Sequence, residues 1–221
     1  MIPLDKLKSV THVITHANCA DGVACGAILK DALPDAKVSF MYHGDKAHRA
    51  LQPEPGMLFC DFVPYIGDEG VGRWLAVDAL VLDHHPTLRE LVDLFVLNDL
   101  GVFGFNEKCE SGAWLAYEHV WRPLRRPYML TSSDPHSGNY EAVQAFAERA
   151  AIRDTWKTTH PDWQRACEEA ALCKFWNMAQ PVSYYTNESE HAARKTLGAR
   201  LAEKQLDAAR KAISEAYSFT T

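Results

Sequence analysis

The chain has 221 residues, 47% of them hydrophobic and 24% charged, with 12 Gly and 11 Pro. That balance argues against disorder, a collagen-like repeat and a coiled coil, and the length suits one domain with an appendage or two small domains. A net charge of −6 excludes a global positive field able to hold a long duplex, so any nucleic-acid ligand is short, or held by a local patch or a metal.

In chain order, residues 10–15 (VTHVIT) read as a buried strand and 21–33 (DGVACGAILKDAL) as a helix whose small residues allow close packing. Residues 37–42 (KVSFMY) and 56–63 (GMLFCDFV) are predicted strands, 67–77 a helix weakened by glycine, and 79–82 (ALVL) a fourth strand. Residues 86–94 predict a helix with Pro in its first turn. Val96, Leu97 and residues 102–105 give weak strand signals, and 111–121 (SGAWLAYEHVW) a helix. This alternation predicts an α/β domain over residues 1–156, a mainly parallel sheet sandwiched by helices. Residues 122–139, rich in Pro, Ser and Arg, read as a long loop. Helices follow over 140–152, 162–179 and 188–217, so residues 157–221 are expected as an all-helical C-terminal extension packed on the domain.

No stretch approaches the roughly 18 consecutive apolar residues of a membrane span, and polar residues interrupt the N-terminal segment where a secretory leader needs an apolar run. A cytoplasmic protein with no membrane partner is expected. Its cysteines (Cys19, Cys25, Cys60, Cys109, Cys167 and Cys173) show no CxxC spacing, and are expected as free thiols in a reducing compartment.

Polar residues gather where the apolar strands end. The first strand runs into His16, Asn18, Cys19 and Asp21, the third into Cys60 and Asp61, the fourth into Asp83, His84 and His85. Ligands of open parallel sheets bind beyond the carboxyl ends of the strands. Imidazole and carboxylate gathered there suit a divalent transition metal: manganese, iron or zinc. Taken singly, Asp21-Gly22 also suits a helix cap, Asp61 a turn, and the His pair a solvated loop. Their recurrence at three strand ends favours the metal.

The pieces THANCADGVAC, CDFVP, LDHHPT and ESGAWLAYEH, followed by IRDTW, fall in the order seen in the DHH phosphoesterase superfamily, which the chain resembles over residues 10–156. That superfamily includes RecJ-type exonucleases, nanoRNases, cyclic-dinucleotide phosphodiesterases and manganese-dependent family II pyrophosphatases. The resemblance implies that Asp21 is a metal ligand, Asp61 a carboxylate shared by two metals, His84 a ligating imidazole, and Asp154 the late ligand of the second metal. It implies that His85 contacts a substrate phosphate and that Asp83 orients an imidazole. Asn18 lies beside the ligands of the first metal, His16 and Cys19. The usual Asp-x-Asp-Gly motif has Cys19 at its first acidic position here. That thiol is either a ligand, favouring softer ions, or an inert neighbour. Related branches carry a His-x-x-Cys-x-Asp-Gly version. One or two ions, manganese first, are implied as cofactor.

Many members add a domain with a Gly-Gly-Gly-His loop, and no such run occurs in these residues. The helical tail instead carries His191, Arg194, Lys195, Arg200, Lys204, Arg210 and Lys211 among glutamates, either a solvated face or a phosphate patch. Arg122, Arg125 and Arg126 form a tighter cluster and are expected phosphate contacts, as are Ser111 and Gly112 at a helix N-terminus. The aromatic stretch Trp156, Trp163, Phe175, Trp176, Tyr184 and Tyr185 is expected mainly as core, with base stacking as the alternative. The predicted function is metal-dependent hydrolysis of a phosphodiester in a small nucleotide or short oligonucleotide; a homodimer is compatible with it. A phosphatase or pyrophosphatase acting on a small non-nucleotide substrate, or a nucleotide-sequestering protein of weak activity, are the alternatives.

Overall fold

The computed structural model describes residues 2–104, 111–129, 140–176, 199–200 and 202–204, with backbone alone at 126–129 and 174–176. After a short helix α1 (Leu4–Lys8), strand β1 (His12–His16) leads through α2 (Ala20–Ala32) to β2 (Lys37–Met41). Helix α3 (Lys46–Ala50) precedes β3 (Met57–Cys60), and α4 (Gly72–Leu75) precedes β4 (Leu80–Asp83). A 3-10 turn over Pro86–Leu88 runs into α5 (Arg89–Val96), and β5 (Gly101–Phe103) follows.

The five strands form one sheet in the order β2-β1-β3-β4-β5, every adjacent pair parallel. The fold is α/β. All residues of β3 and β4 are buried, and because successive side chains point to opposite faces, both faces of the sheet centre are covered. Phe59 meets Trp74 of α4 edge-on with ring centroids 5.4 Å apart. On the other face, the Cys60 thiol donates to the carbonyl of Gly112 at 3.4 Å. Chain order reverses at β1, which lies between β2 and β3. The carboxyl ends of β1 and β3 therefore bound the crevice where open α/β sheets take ligands.

Ser111 caps α6 (Gly112–Ala116), its hydroxyl accepting from the Trp114 N–H at 3.2 Å. One π turn over Tyr117–Trp121 then continues directly into α7 (Arg122–Met129). The first half of the predicted 122–139 loop is thus helical. Pro123 lacks an N–H and crowds the carbonyl four residues back, and the wider π turn before it supplies the room. Residues 130–139 lie outside the described residues. Helix α8 (Tyr140–Asp154) and helix α9 (Trp163–Trp176) pack on α2, and the buried Arg149–Glu169 pair at 2.7 Å ties α8 to α9. Residues 199–200 and 202–204 are helical, and Ala202 packs against Cys167 and Ala171.

The other differences from the sequence reading are local. The predicted helix over 67–77 shrinks to four residues at α4, as its glycines imply. Val96 and Leu97 are not strand: Val96 ends α5 and Leu97 follows it, 81% exposed. Trp156 is not core, being 61% exposed, and Trp163 is half-buried. The side chains of Phe175 and Trp176, and all of Cys109, Tyr184, Tyr185, His191, Arg194, Lys195, Arg210 and Lys211, lie outside the described residues. Among the described residues, no helix is long and apolar enough to cross a membrane.

Candidate metal centre

Five elements deliver the polar side chains to one place. Strand β1 ends at His16, and the chain turns left-handed at Asn18 (φ +56°), which is exposed, before Cys19 opens α2. The Thr15 hydroxyl donates to the carbonyl of Gly22 at 2.9 Å, pinning the first turn of α2 against β1. Asp61 follows β3 directly in the left-handed region (φ +55°), where a non-glycine residue is strained. That turn buries its carboxylate to 1% exposure. His84 follows β4, and Asp154 is the last residue of α8.

His84 Nε2 lies 3.2 Å from Asp61 Oδ1, 3.7 Å from Asp21 Oδ2 and 3.7 Å from Asp154 Oδ2. Ligand atoms of His16, Cys19 and Asp61 fall within 4.8 Å of one another, as do those of Asp21, His84 and Asp154, and of Asp61, His84 and His85. Asp61 also joins the fully buried set Asp21, Cys25 and Asp61. Both ligand sets expected from the sequence are therefore brought together, with Asp61 between them.

The electrostatics are those of three carboxylates gathered around a single imidazole. Burial pushes the Asp21 carboxyl well above the usual range, helped by the charges of Asp61 and Asp154. Burial likewise raises Asp154. Burial opposes the charged form of His84, but its hydrogen bond to Asp61 and the charges of Asp21, Asp61 and Asp154 raise it to about 9. Burial, then Asp61 and Asp21, push the Cys19 thiol up to about 12. The Asp61 Oδ2 and Asp83 Oδ2 atoms are buried with no hydrogen-bond partner. A buried carboxylate oxygen without a donor is costly. A divalent cation would satisfy the orphaned Asp61 oxygen and relieve the repulsion, so the residues present fit one.

Asp83 is fully buried and orients His85. Its Oδ1 accepts from the His85 backbone N–H at 2.7 Å and from Nδ1 at 3.0 Å. That bond raises the His85 pKa and fixes the proton on Nδ1, leaving Nε2 for a ligand. The imidazole is 41% exposed.

Four residues expected as substrate contacts, Ser111, Gly112, Arg122 and Arg125, bond to other groups of the chain. The N–H groups of Gly112 and Ala113 donate to Asp21 Oδ2 and Oδ1 at 2.6 and 3.1 Å, and Ser111, fully buried, caps Trp114. The donors that a phosphate would use are committed to holding Asp21. Arg122 pairs with Glu118, and Arg125 donates to the carbonyl of Asp31. Asp31 lies ten residues beyond Asp21 on α2, about 15 Å along the axis, so Arg122 and Arg125 sit away from the cluster. The Arg126 side chain lies outside the described residues. Arg200 and Lys204 are exposed.

His43 was missed. It follows β2, with its ring 4.9 Å from that of His16 and stacked 4.2 Å from Phe62. The rule applied to three strand ends finds it at the fourth. Gly112 also has a packing role that the sequence does not show. A Cβ there would overlap that of Asp61 and lie 2.8 Å from Cys25 Sγ, so only glycine lets α6 approach the turn.

No family model and no curated protein matches the chain. In fold it is similar to the crystal structure of an uncharacterized protein from Helicobacter pylori G27, with 13% sequence identity and a TM-score of 0.50. The likeness covers 90% of this chain and 63% of that one, so the chain spans under two thirds of its length. At that identity the likeness concerns the fold alone. Fold and side chains together define an α/β protein with a cluster of metal-type ligands beyond the carboxyl ends of its strands.

Proposed function

We propose that the chain is a metal-dependent phosphoesterase of the DHH type, hydrolysing a phosphodiester in a small nucleotide or short oligonucleotide. One observation carries the reading: Asp21, Asp61 and Asp154 converge on His84 Nε2, while a buried oxygen of Asp61 has no partner. A bound divalent metal, manganese by this reading with zinc or iron as alternatives, lowers the pKa of water and neutralises phosphoryl charge.

The chain's own residues then divide the work. Asp61 serves the His16–Cys19 side and the His84–Asp154 side together, which fixes their separation. Gly112 and Ala113 hold both oxygens of Asp21, so its carboxylate is aimed before any ligand arrives. His85, steadied by Asp83 and biased towards its charged form, presents Nε2–H to a phosphate oxygen. A cytoplasmic location and a small soluble partner go with this reading.

The test is hydrolysis with manganese of a dinucleotide, a cyclic dinucleotide, a mononucleotide and pyrophosphate, each repeated with EDTA. EDTA-sensitive cleavage of a nucleotide supports the reading, and cleavage of pyrophosphate alone moves it to a pyrophosphatase. Tight nucleotide binding without product favours a sequestering protein. Cys19 at the usual acidic position of the motif keeps that second reading in view.

A further inference from the structure

Beside the cluster lies a cavity between α2, α8 and α9. Its lining includes the ligand-type residues Cys19, Asp21 and Asp154 and the small residues Ala150, Ala166 and Ala170. The alanines leave room between the helices, and the buried Glu169, paired with Arg149, lies on the same cavity. Trp156 and Arg153 also line it. The Arg153 guanidinium stands 4.4 Å from the Trp156 ring centroid and 5.5 Å from that of Trp163, and the two indoles are 5.9 Å apart.

The backbone around Trp156 shows that this placement goes against local preference. Helix α8 ends in a Schellman motif: the Lys157 N–H returns to the carbonyl of Ile152 at 3.0 Å and the Trp156 N–H to that of Arg153 at 3.4 Å. Trp156 occupies the left-handed position of that motif, φ +54°, where glycine is the favoured residue. The largest side chain available stands there, exposed, two residues after Asp154.

We propose that this cavity is a nucleobase subsite, with Trp156 and Arg153 as its stacking surface, for a ligand whose phosphate lies on the Asp21, Asp61, His84 and Asp154 cluster. The inference rests on the phosphoesterase reading and deepens it by giving the base of its nucleotide substrate a place to bind. A cavity faced by an indole and a guanidinium suits a flat aromatic ring, and because Asp21 and Asp154 belong to both cavity and cluster, that ring would sit next to a metal-held phosphate. Inorganic pyrophosphate has no part that would use it.

Binding separates this subsite from catalysis. Affinities of adenosine 5′-monophosphate and ribose 5-phosphate are measured by calorimetry with calcium present, so that the base is the difference between the probes. The unaltered chain is expected to bind the mononucleotide at least about tenfold more tightly, the scale of one base stacked on an aromatic ring. In Trp156→Gly, which the backbone at that position favours, and in Ala150→Phe, which fills the cavity, the ratio should fall to within about twofold of one. Trp156→Phe should keep most of it. A ratio near one in the unaltered chain, or a ratio unmoved by both Trp156→Gly and Ala150→Phe, overturns the subsite. Manganese-dependent hydrolysis with a ratio near one would remove the subsite and leave the phosphoesterase reading. A tenfold ratio without hydrolysis would do the reverse.

Discussion

His84 Nε2 stands 3.2 Å from Asp61 Oδ1 and is the point on which the acidic side chains of β3, α2 and α8 converge. In the metal-free chain a proton on that nitrogen is the counter-charge of the cluster, and a metal ion would have to displace it.

That competition sets a pH dependence. His84 is raised to about 9, above the ordinary value of roughly 6.5, so its charged form stabilises the metal-free fold below pH ~6.5. This contribution is lost as the pH rises through about 9. Metal needs the neutral ring, so manganese affinity should climb by about tenfold per pH unit towards 9 and then level off. The raised carboxyls of Asp21 and Asp154 steepen the slope at the acidic end. Titration of manganese at several pH values checks this, and His84→Gln should flatten the profile near 9.

Asp61→Ala should abolish hydrolysis and lower manganese affinity by more than about 100-fold, since losses of 10–100-fold follow from removing mere outer partners of a metal ligand. Loss of the unpartnered buried oxygen offsets the left-handed strain that alanine keeps at φ +55°, so the melting temperature should stay about equal. Calorimetry and an activity assay on one preparation test both halves, and retained hydrolysis would sink the metal assignment.

Gly112→Ala should act at a distance from any ligand. The new methyl would overlap Asp61 Cβ and press on Cys25, costing about 1–3 kcal/mol as an overpacked core does. It should also weaken metal binding, because α6 would carry its N–H groups away from Asp21. Denaturant unfolding and manganese titration should move together.

Trp156→Gly should do the opposite to stability. Relief of a left-handed tryptophan is worth about 1–2 kcal/mol. Thermal unfolding should therefore shift upward in the same variant that binds a mononucleotide less well. A lower melting temperature would mean that contacts of the indole outweigh its backbone strain.

Asp83→Asn should leave His85 in place but return its pKa towards the ordinary value, since the hydrogen bond to Asp83 is the largest cause of its rise. Activity should drop by about 10–100-fold. NMR titration of the His85 ring distinguishes this from a loss of fold.

The strand ends were legible because a buried parallel strand is an apolar run, and the first polar residues after it face the crevice. Asp21, Asp61, His84 and His85 follow from that rule and from the order of the motifs. The role of Gly112 was not legible, because it depends on a contact with Asp21, ninety-one residues away in the chain. Arg122 and Arg125 looked like a phosphate patch because clustered charge in sequence says nothing of which end of α2 it meets. Helix α7 was hidden by its prolines, which signal a break unless a π turn precedes them. Trp156 was lost in a periodicity argument that counts aromatic residues without their exposure.

The helical run from Gly112 is fastened to α2 at both ends. Gly112 and Ala113 grip Asp21, while Trp121 Nε1 donates to Asp31 Oδ2 at 2.6 Å and Arg125 reaches the carbonyl of Asp31. The two helices therefore run side by side like the rails of a ladder. A single residue inserted or deleted between 113 and 120 would turn one rail by roughly 100° against the other and release either Asp21 or Asp31. Homologues of this chain should vary in length anywhere but there, and amides near Trp121 should slow their hydrogen exchange when metal is added at the opposite end.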